Sequence, residues 1–208
     1  GLVVPLKVSG HHVPRFSVGG AVTDLDSSAP EGTEYLFFPG IYDLQPEGTG
    51  EYVDAQSARA VVEDGRQGSS YETTHVTLEG SLNSQLRGEV LRAAQDAVQA
   101  CGTLGRNADQ MCPSALRSSS LSVLNVTTLP STLVSVSDSG AYTGEDAVIT
   151  YQDPGSWLPD RHPRTLTLRP TMTVALSDAG VPVTDIDGKP VISVTLSIPS
   201  SSGDSPSS

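Results

Sequence analysis

Cys101 and Cys112 are the only two cysteines in the chain. They bracket the polar loop Gly-Thr-Leu-Gly-Arg-Asn-Ala-Asp-Gln-Met, and Pro113 follows directly. Two thiols so placed have three chemistries open to them: a metal site, a redox pair or a structural disulfide. A structural zinc needs about four ligands, and the four histidines are scattered. A catalytic dithiol uses the Cys-x-x-Cys spacing, which is absent here. A local disulfide is therefore expected. By the chain-entropy argument, closing so short a loop stabilises by about 2–3 kcal/mol. Disulfides persist in oxidising compartments, which sets the expected location outside the cytoplasm.

Other residues offer weaker chemistry. His11 and His12 are the only adjacent histidines. On a strand, neighbours point to opposite faces and cannot share one ion; only a loop would permit it. Asp24-Leu-Asp26 and Asp185-Ile-Asp187-Gly188 superficially resemble calcium loops but lack spaced ligands and a closing Glu, so turn chemistry explains them better. Glu145-Asp146, with His162 as a further candidate, is the pair on which an acid-catalysed hydrolase would rest. Acid pairs in loops are usually only solvated. No serine stands in Gly-x-Ser-x-Gly or Ser-x-x-Lys, and no Walker-type phosphate loop occurs. Trp157 lies in the turn-rich run from Asp153 to Pro159, either as a binding aromatic or packed over a sheet end. Asn125-Val-Thr127 fits the glycosylation pattern inside an expected strand. No catalytic residue, metal or cofactor is assigned.

The elements that must carry these residues are mostly strands. Leu2–Val8 reads as an edge strand, because Pro5 cannot donate to a ladder. Tyr35–Phe38, a type II turn at Pro39-Gly40, and Ile41–Leu44 follow. Ala58–Glu63 and Tyr71–Leu78 come next, the latter with Thr74, Val76 and Leu78 on one face. The helix spans Leu82 to Cys101. Leu82, Leu86, Val90, Ala94, Ala97 and Cys101 form one apolar stripe, Asn83 or Ser84 caps the start, and Gly102 ends it. Leu121–Leu129, Leu133–Ser137, Ala147–Tyr151, Thr165–Arg169, Met172–Ser177 and Val191–Ile198 are further strands. The tail Pro199–Ser208 is too polar to bury anything.

The expected architecture is α+β: a small β module over residues 1–80, then one amphipathic helix packed on a curved antiparallel sheet over 81–198, then a tail over 199–208. The 208 residues carry 12 basic and 24 acidic side chains, a net charge of −12. Residues 1–80 hold twelve acids and four bases, a net of −8. Such acidity argues against nucleic acid, whose binding relies on Lys and Arg, and against anionic lipid. No run reaches the roughly 18 apolar residues of a membrane span. An export signal or anchor preceding Gly1 is expected from the disulfide.

Leu36-Phe-Phe-Pro-Gly-Ile-Tyr42, then a helix ending in Cys101, then Cys112-Pro113, resembles the extracytoplasmic part of a group of actinobacterial membrane proteins. These are similar to the extracellular region of the teicoplanin-resistance-associated zinc-ribbon membrane proteins of Gram-positive bacteria. The resemblance covers two short segments. It implies a small β domain and a helix-on-sheet domain outside a single transmembrane helix, with a role in the cell envelope. No zinc-ribbon cysteines are present, and no catalytic residue carries over. The resulting expectation is a non-catalytic extracytoplasmic domain, membrane-anchored at the cell surface, that binds a cell-wall polymer or envelope protein. The alternatives are an envelope hydrolase and a small-ligand domain with a cavity under the helix.

Overall fold

Alternating burial along the strands accounts for most of the structure. The computed structural model describes residues 3–29, 31–63, 73–103, 111–117, 121, 123–152 and 162–199. It is 52% β-sheet and 13% helix, with the helix packed against a curled antiparallel half-barrel, an α+β fold. Two compact units divide the chain: residues 1–86 with 175–191, and residues 87–174 with 192–208.

The first unit holds β1 (Val4–His11), β2 (Arg15–Val18), β3 (Ala21–Asp24), β4 (Thr33–Phe37), β5 (Gly40–Glu47), β6 (Val53–Ala55), β7 (Ala58–Val62) and β8 (Thr74–Leu82). They form two four-stranded sheets, ordered β4-β1-β8-β6 and β3-β2-β5-β7. Val4, Leu6, Val8 and Leu78 of the first share one buried cluster with Phe16, Leu44, Ala60 and Val62 of the second. Alternation places these side chains inward and their neighbours outward.

Two expectations fail here. β1 is not an edge: it pairs antiparallel with β4 and parallel with β8. Pairing with β8 begins only at Leu6, so the missing N–H of Pro5 falls outside that ladder. Pro39-Gly40 is not a type II turn, for Gly40 has no positive φ. The chain passes there from one sheet to the other. Tyr42 turns inward, its hydroxyl donating to the Phe38 carbonyl at 2.8 Å and its ring meeting Phe37 edge-on at 4.8 Å.

Residues 175–191 form a β-arm of the first unit. Bridges Leu176↔Pro182 and Thr184↔Pro190 hold it. Its outer turn is closed by Asp185, whose carboxylate accepts the N–H groups of Asp187 and Lys189 at 2.9 Å each, while Gly188 supplies φ 77°. Turn chemistry thus accounts for Asp185 and Asp187.

The helix of the half-barrel is α1 (Ser84–Cys101), the only α-helix among the described residues. Leu82 belongs to β8, so the helix starts two residues later than the stripe suggests. Asn83 caps it, its side-chain oxygen accepting the Leu86 N–H at 3.2 Å. Leu86, Val90, Ala94, Ala97 and Cys101 are buried, as is Val98. Gly102 terminates α1 with its N–H still bonded to Val98 O at 3.0 Å, and a Cβ there would lie 2.1 Å from Val126. Close approach, rather than a left-handed φ, is why glycine stands at 102.

The sheet contains β9 (Val123–Thr128), β10 (Leu133–Val136), β11 (Ala141–Gly144), β12 (Ala147–Gln152), β13 (Arg164–Val174) and β14 (Ile192–Ser197). β13 is continuous where two strands divided at Pro170 were expected. Its first half pairs with β12, and its second with β11 and β14. Between Thr143↔Thr171 and Ala147↔Leu168 one extra residue is accommodated, so β11 and β12 run along β13 as one strand bulged at Glu145-Asp146. Pro170 lies in the gap between these two registers. Bulges of this kind bend a sheet. The concave side is filled: Ala97, Val98, Cys101, Cys112, Leu116, Leu124, Ala147, Ile149, Leu168 and Leu196 form one buried cluster.

Candidate functional site

The disulfide is present. Cys101 and Cys112 are joined, with Cα atoms 5.6 Å apart, and both are buried. It ties the end of α1 to the chain just before Leu116, so its role in this fold is to close the core cluster that both cysteines join. The bond fits an oxidising environment. No helix of the described residues is long and apolar enough to cross a membrane.

The carboxylates of the hydrolase alternative are spent on the bend. Glu145 accepts the Ser131 N–H at 3.2 Å, the Ser131 hydroxyl at 2.6 Å and the Thr132 N–H at 3.2 Å. The Ser131 hydroxyl and its fellow donors hold the Glu145 carboxyl below the usual range. Asp146 makes a two-pronged ion pair with Arg169, at 2.7 and 2.9 Å. The Arg169 hydrogen bonds lower the Asp146 pKa, and Asp146 raises that of Arg169. General-acid work needs a carboxyl raised toward neutrality, the opposite of both shifts. His162 precedes β13, beyond the roughly 16 Å of extended strand that separate Arg164 from Arg169. The three residues do not converge.

A glycine and two prolines shape the same bend. A Cβ on Gly144 would lie 2.9 Å from Pro170 Cγ, 3.6 Å from Pro130 Cβ and 3.7 Å from Met172 Cε. Pro130 is fully buried, and its carbonyl accepts from Gln95 Nε2 of the helix at 2.8 Å. The corner is therefore a packed structural joint.

The remaining candidates separate cleanly. Asp26 accepts the N–H and hydroxyl of Ser28 at 2.9 and 2.6 Å, an Asx turn, and the Ser28 hydroxyl lowers its pKa. Asn125 is exposed on β9, where its acceptor-motif partner Thr127 shares a 2.9 Å hydrogen bond with Thr150. Trp157 lies outside the described residues. His11 and His12 depart from the strand rule, because His12 takes φ 55°. Their rings meet edge-on with centroids 4.2 Å apart and line one cavity of about 240 Å³. Spacing alone could not reveal this, since only a left-handed break in the strand brings neighbours together.

Sequence reasoning singled out no exposed apolar surface. Ile41 and Val61 face each other across β5 and β7, 67% and 49% exposed, with Phe38 at 59% just before β5. Among the described residues no three His, Cys, Asp or Glu side chains are grouped to hold a metal ion. Comparison with known protein families, with curated protein sequences and with solved structures found no match to this chain.

Proposed function

We propose that this chain is a non-catalytic extracytoplasmic binding module of the bacterial cell envelope, docking a wall polymer or another envelope protein. The observation that carries the reading is the outward Ile41–Val61 cross-strand pair, with exposed Phe38 three residues before Ile41 in the chain. Large apolar side chains left exposed on an ordered sheet face still have apolar area to bury against a partner. Arg59 and Asp43, the next cross-strand pair on that face, form an ion pair at 3.1 Å and give the apolar group a polar edge. Support also comes from the Leu36–Tyr42 segment, which resembles envelope proteins and supplies both Phe38 and Ile41. In this reading membrane attachment is the work of a separate anchor.

The test compares the wild-type chain with the Ile41→Ser/Val61→Ser variant. Each is incubated with purified cell-wall sacculi and, separately, with detergent-solubilised envelope protein. Saturable retention by the wild type, lost in a variant with an unchanged melting temperature, is the expected result. Equal retention by both would move the binding surface elsewhere. Release of soluble products from peptidoglycan or ester substrates by the pure chain would overturn the non-catalytic reading outright.

A further inference from the structure

A sheet edge exposes unused backbone groups, and natural proteins guard it with charges, prolines, bulges or very short strands. Most edge strands of this chain are guarded in that way. β3 carries Asp24, β4 carries Glu34, β6 is three residues long and holds Asp54, and β7 carries Arg59. The ladders of β9 and β10 are each broken by an irregular step. β14 has none of these devices. It pairs with β13 along its whole length without a shift, and no other strand pairs with it among the described residues. The run from Val191 to Ile198 holds no charge, glycine or proline.

The phase of the ladder shows which groups are free. The Val174 N–H of β13 donates to the Gly140 carbonyl at 2.8 Å, on the β11 side. Backbone groups alternate sides along a strand, so those of Thr171 and Thr173 face β14 and meet Thr195 and Ser193. The N–H and C=O groups of Ile192, Val194 and Leu196 therefore point away from β13, and they make no backbone hydrogen bond among the described residues. The side chains divide as cleanly. Leu196 is buried in the core cluster of the half-barrel, and Val194 packs against it. Ser193, Thr195 and Ser197 are exposed on the other face.

We infer that a second copy of this chain pairs with this edge, β14 against β14, antiparallel about a two-fold axis at Val194. Self-complementarity is what selects a like partner. In that register Val194 meets its own counterpart and Ile192 meets Leu196 of the second copy, so every free N–H and C=O of these residues is paired. Apolar side chains then adjoin apolar ones on the core side, and Ser193 lies opposite Thr195 on the polar side. The charge pattern points the same way. The chain has a net charge of −12, and a symmetric pair built on an edge with an acid sets like charges against each other. β14 is the unbroken edge with none to oppose. Repulsion between the remaining exposed charges is screened beyond about 8 Å at physiological salt. Ile198, 55% exposed just past the strand, adds apolar area beside the ladder. So short a ladder belongs to the small, transient class of interfaces, and association is concentration-dependent. β14 lies in the second unit and Ile41 and Val61 in the first, so neither assignment depends on the other.

The experiment measures the mass of the full chain by sedimentation equilibrium from about 1 μM to about 500 μM, which reaches weak association. Wild type is expected to pass from monomer to dimer. Two variants change only exposed polar-face positions: Ser193→Lys/Thr195→Lys and Ser193→Glu/Thr195→Glu. Each sets like charges directly opposite across the two-fold axis and should weaken self-association about tenfold or more. Circular dichroism and the melting midpoint at low concentration check that both fold as wild type does. An equimolar mixture of the two should regain the dimer, because opposite charges then face each other. That rescue separates strand pairing at β14 from any other contact between copies. The inference fails if wild type stays monomeric throughout, if both variants dimerise like wild type, or if the mixture remains monomeric. Masses that grow beyond a dimer would overturn the closed two-fold pairing.

Discussion

Gly144→Ala tests whether the half-barrel is bent by packing at its corner. Gly144 has no positive φ, so backbone strain does not require glycine there. The constraint is the ring of Pro170, 2.9 Å from the new methyl, with Pro130 and Met172 behind it. Met172 is flexible enough to give way, but a proline ring is locked to the backbone of β13. Overpacking of this kind costs about 1–3 kcal/mol. Restricting the unfolded chain returns about 0.4–1 kcal/mol, so the net loss centres on about 1.3 kcal/mol and does not exceed about 2.6 kcal/mol. For a domain near 100 residues the central value is a fall in Tm of roughly 5–10 °C. Gly88→Ala is the matched control: its Cβ would meet nothing within 4 Å on the exposed face of α1, so it should stabilise by about 1 kcal/mol. Circular dichroism at 222 nm during urea and thermal unfolding reports on the helix. The same substitution should therefore move the transition in opposite directions at the two sites. Pro170→Ala added to Gly144→Ala should recover part of the loss, because the two atoms share one space. Gly144→Ala as stable as wild type, or no coupling with Pro170→Ala, would refute the joint.

Three further outcomes follow from the same packing. Val90→Asp, at a fully buried position on α1, buries an unpaired charge and should abolish the cooperative helix transition, while exposed Gln99→Asp should leave it within about 0.5 kcal/mol. Tyr142→Phe removes a buried hydroxyl without a partner and should stabilise by about 1 kcal/mol in urea. Burial raises the Tyr142 pKa, so the folded state favours the protonated phenol. Its contribution is full below the unfolded value near 10 and is lost as pH climbs through the raised one; the Phe variant should show a shallower alkaline decline. Asp146→Asn should matter only above the carboxylate range: the Arg169 pair lowers the Asp146 pKa, so its stabilisation is present above 3.8 and lost as pH falls through the lowered value. Because both partners are partly exposed, the loss at pH 7 should stay under about 1 kcal/mol.

Periodicity made part of this fold legible and left the rest hidden for definite reasons. The stripe from Leu86 to Cys101 and the alternation in β8 are local patterns that burial enforces, so they survive into the structure. The prolines misled because a missing N–H matters only where a neighbour would have used it. Pro5 lies before the ladder to β8 begins, and Pro170 lies where β13 changes partner from β12 to β11. Which side of a strand needs its N–H is a property of the sheet, and one chain segment does not carry it. The association of residues 175–191 with the first unit is likewise a long-range pairing with no local signature.

Chemistry was harder to read than fold, and Glu145-Asp146 and His11-His12 differ from the sequence reading in opposite directions. An acid pair in a loop reads as merely solvated, with catalysis as the alternative. In the structure every strong donor near Glu145 belongs to Ser131 or Thr132, and Asp146 is satisfied by Arg169. Their lowered pKa values follow from those bonds, and a carboxyl stabilised as the anion is a poor acid. The histidines look inert, since strand alternation should send the rings apart. One residue at φ 55° cancels that alternation, sets both rings on one wall and leaves Nε2 without a partner. Satisfied groups hold this fold together. The two buried side-chain atoms left without a hydrogen-bond partner among the described residues, His12 Nε2 and the Tyr142 hydroxyl, are where it gives stability up.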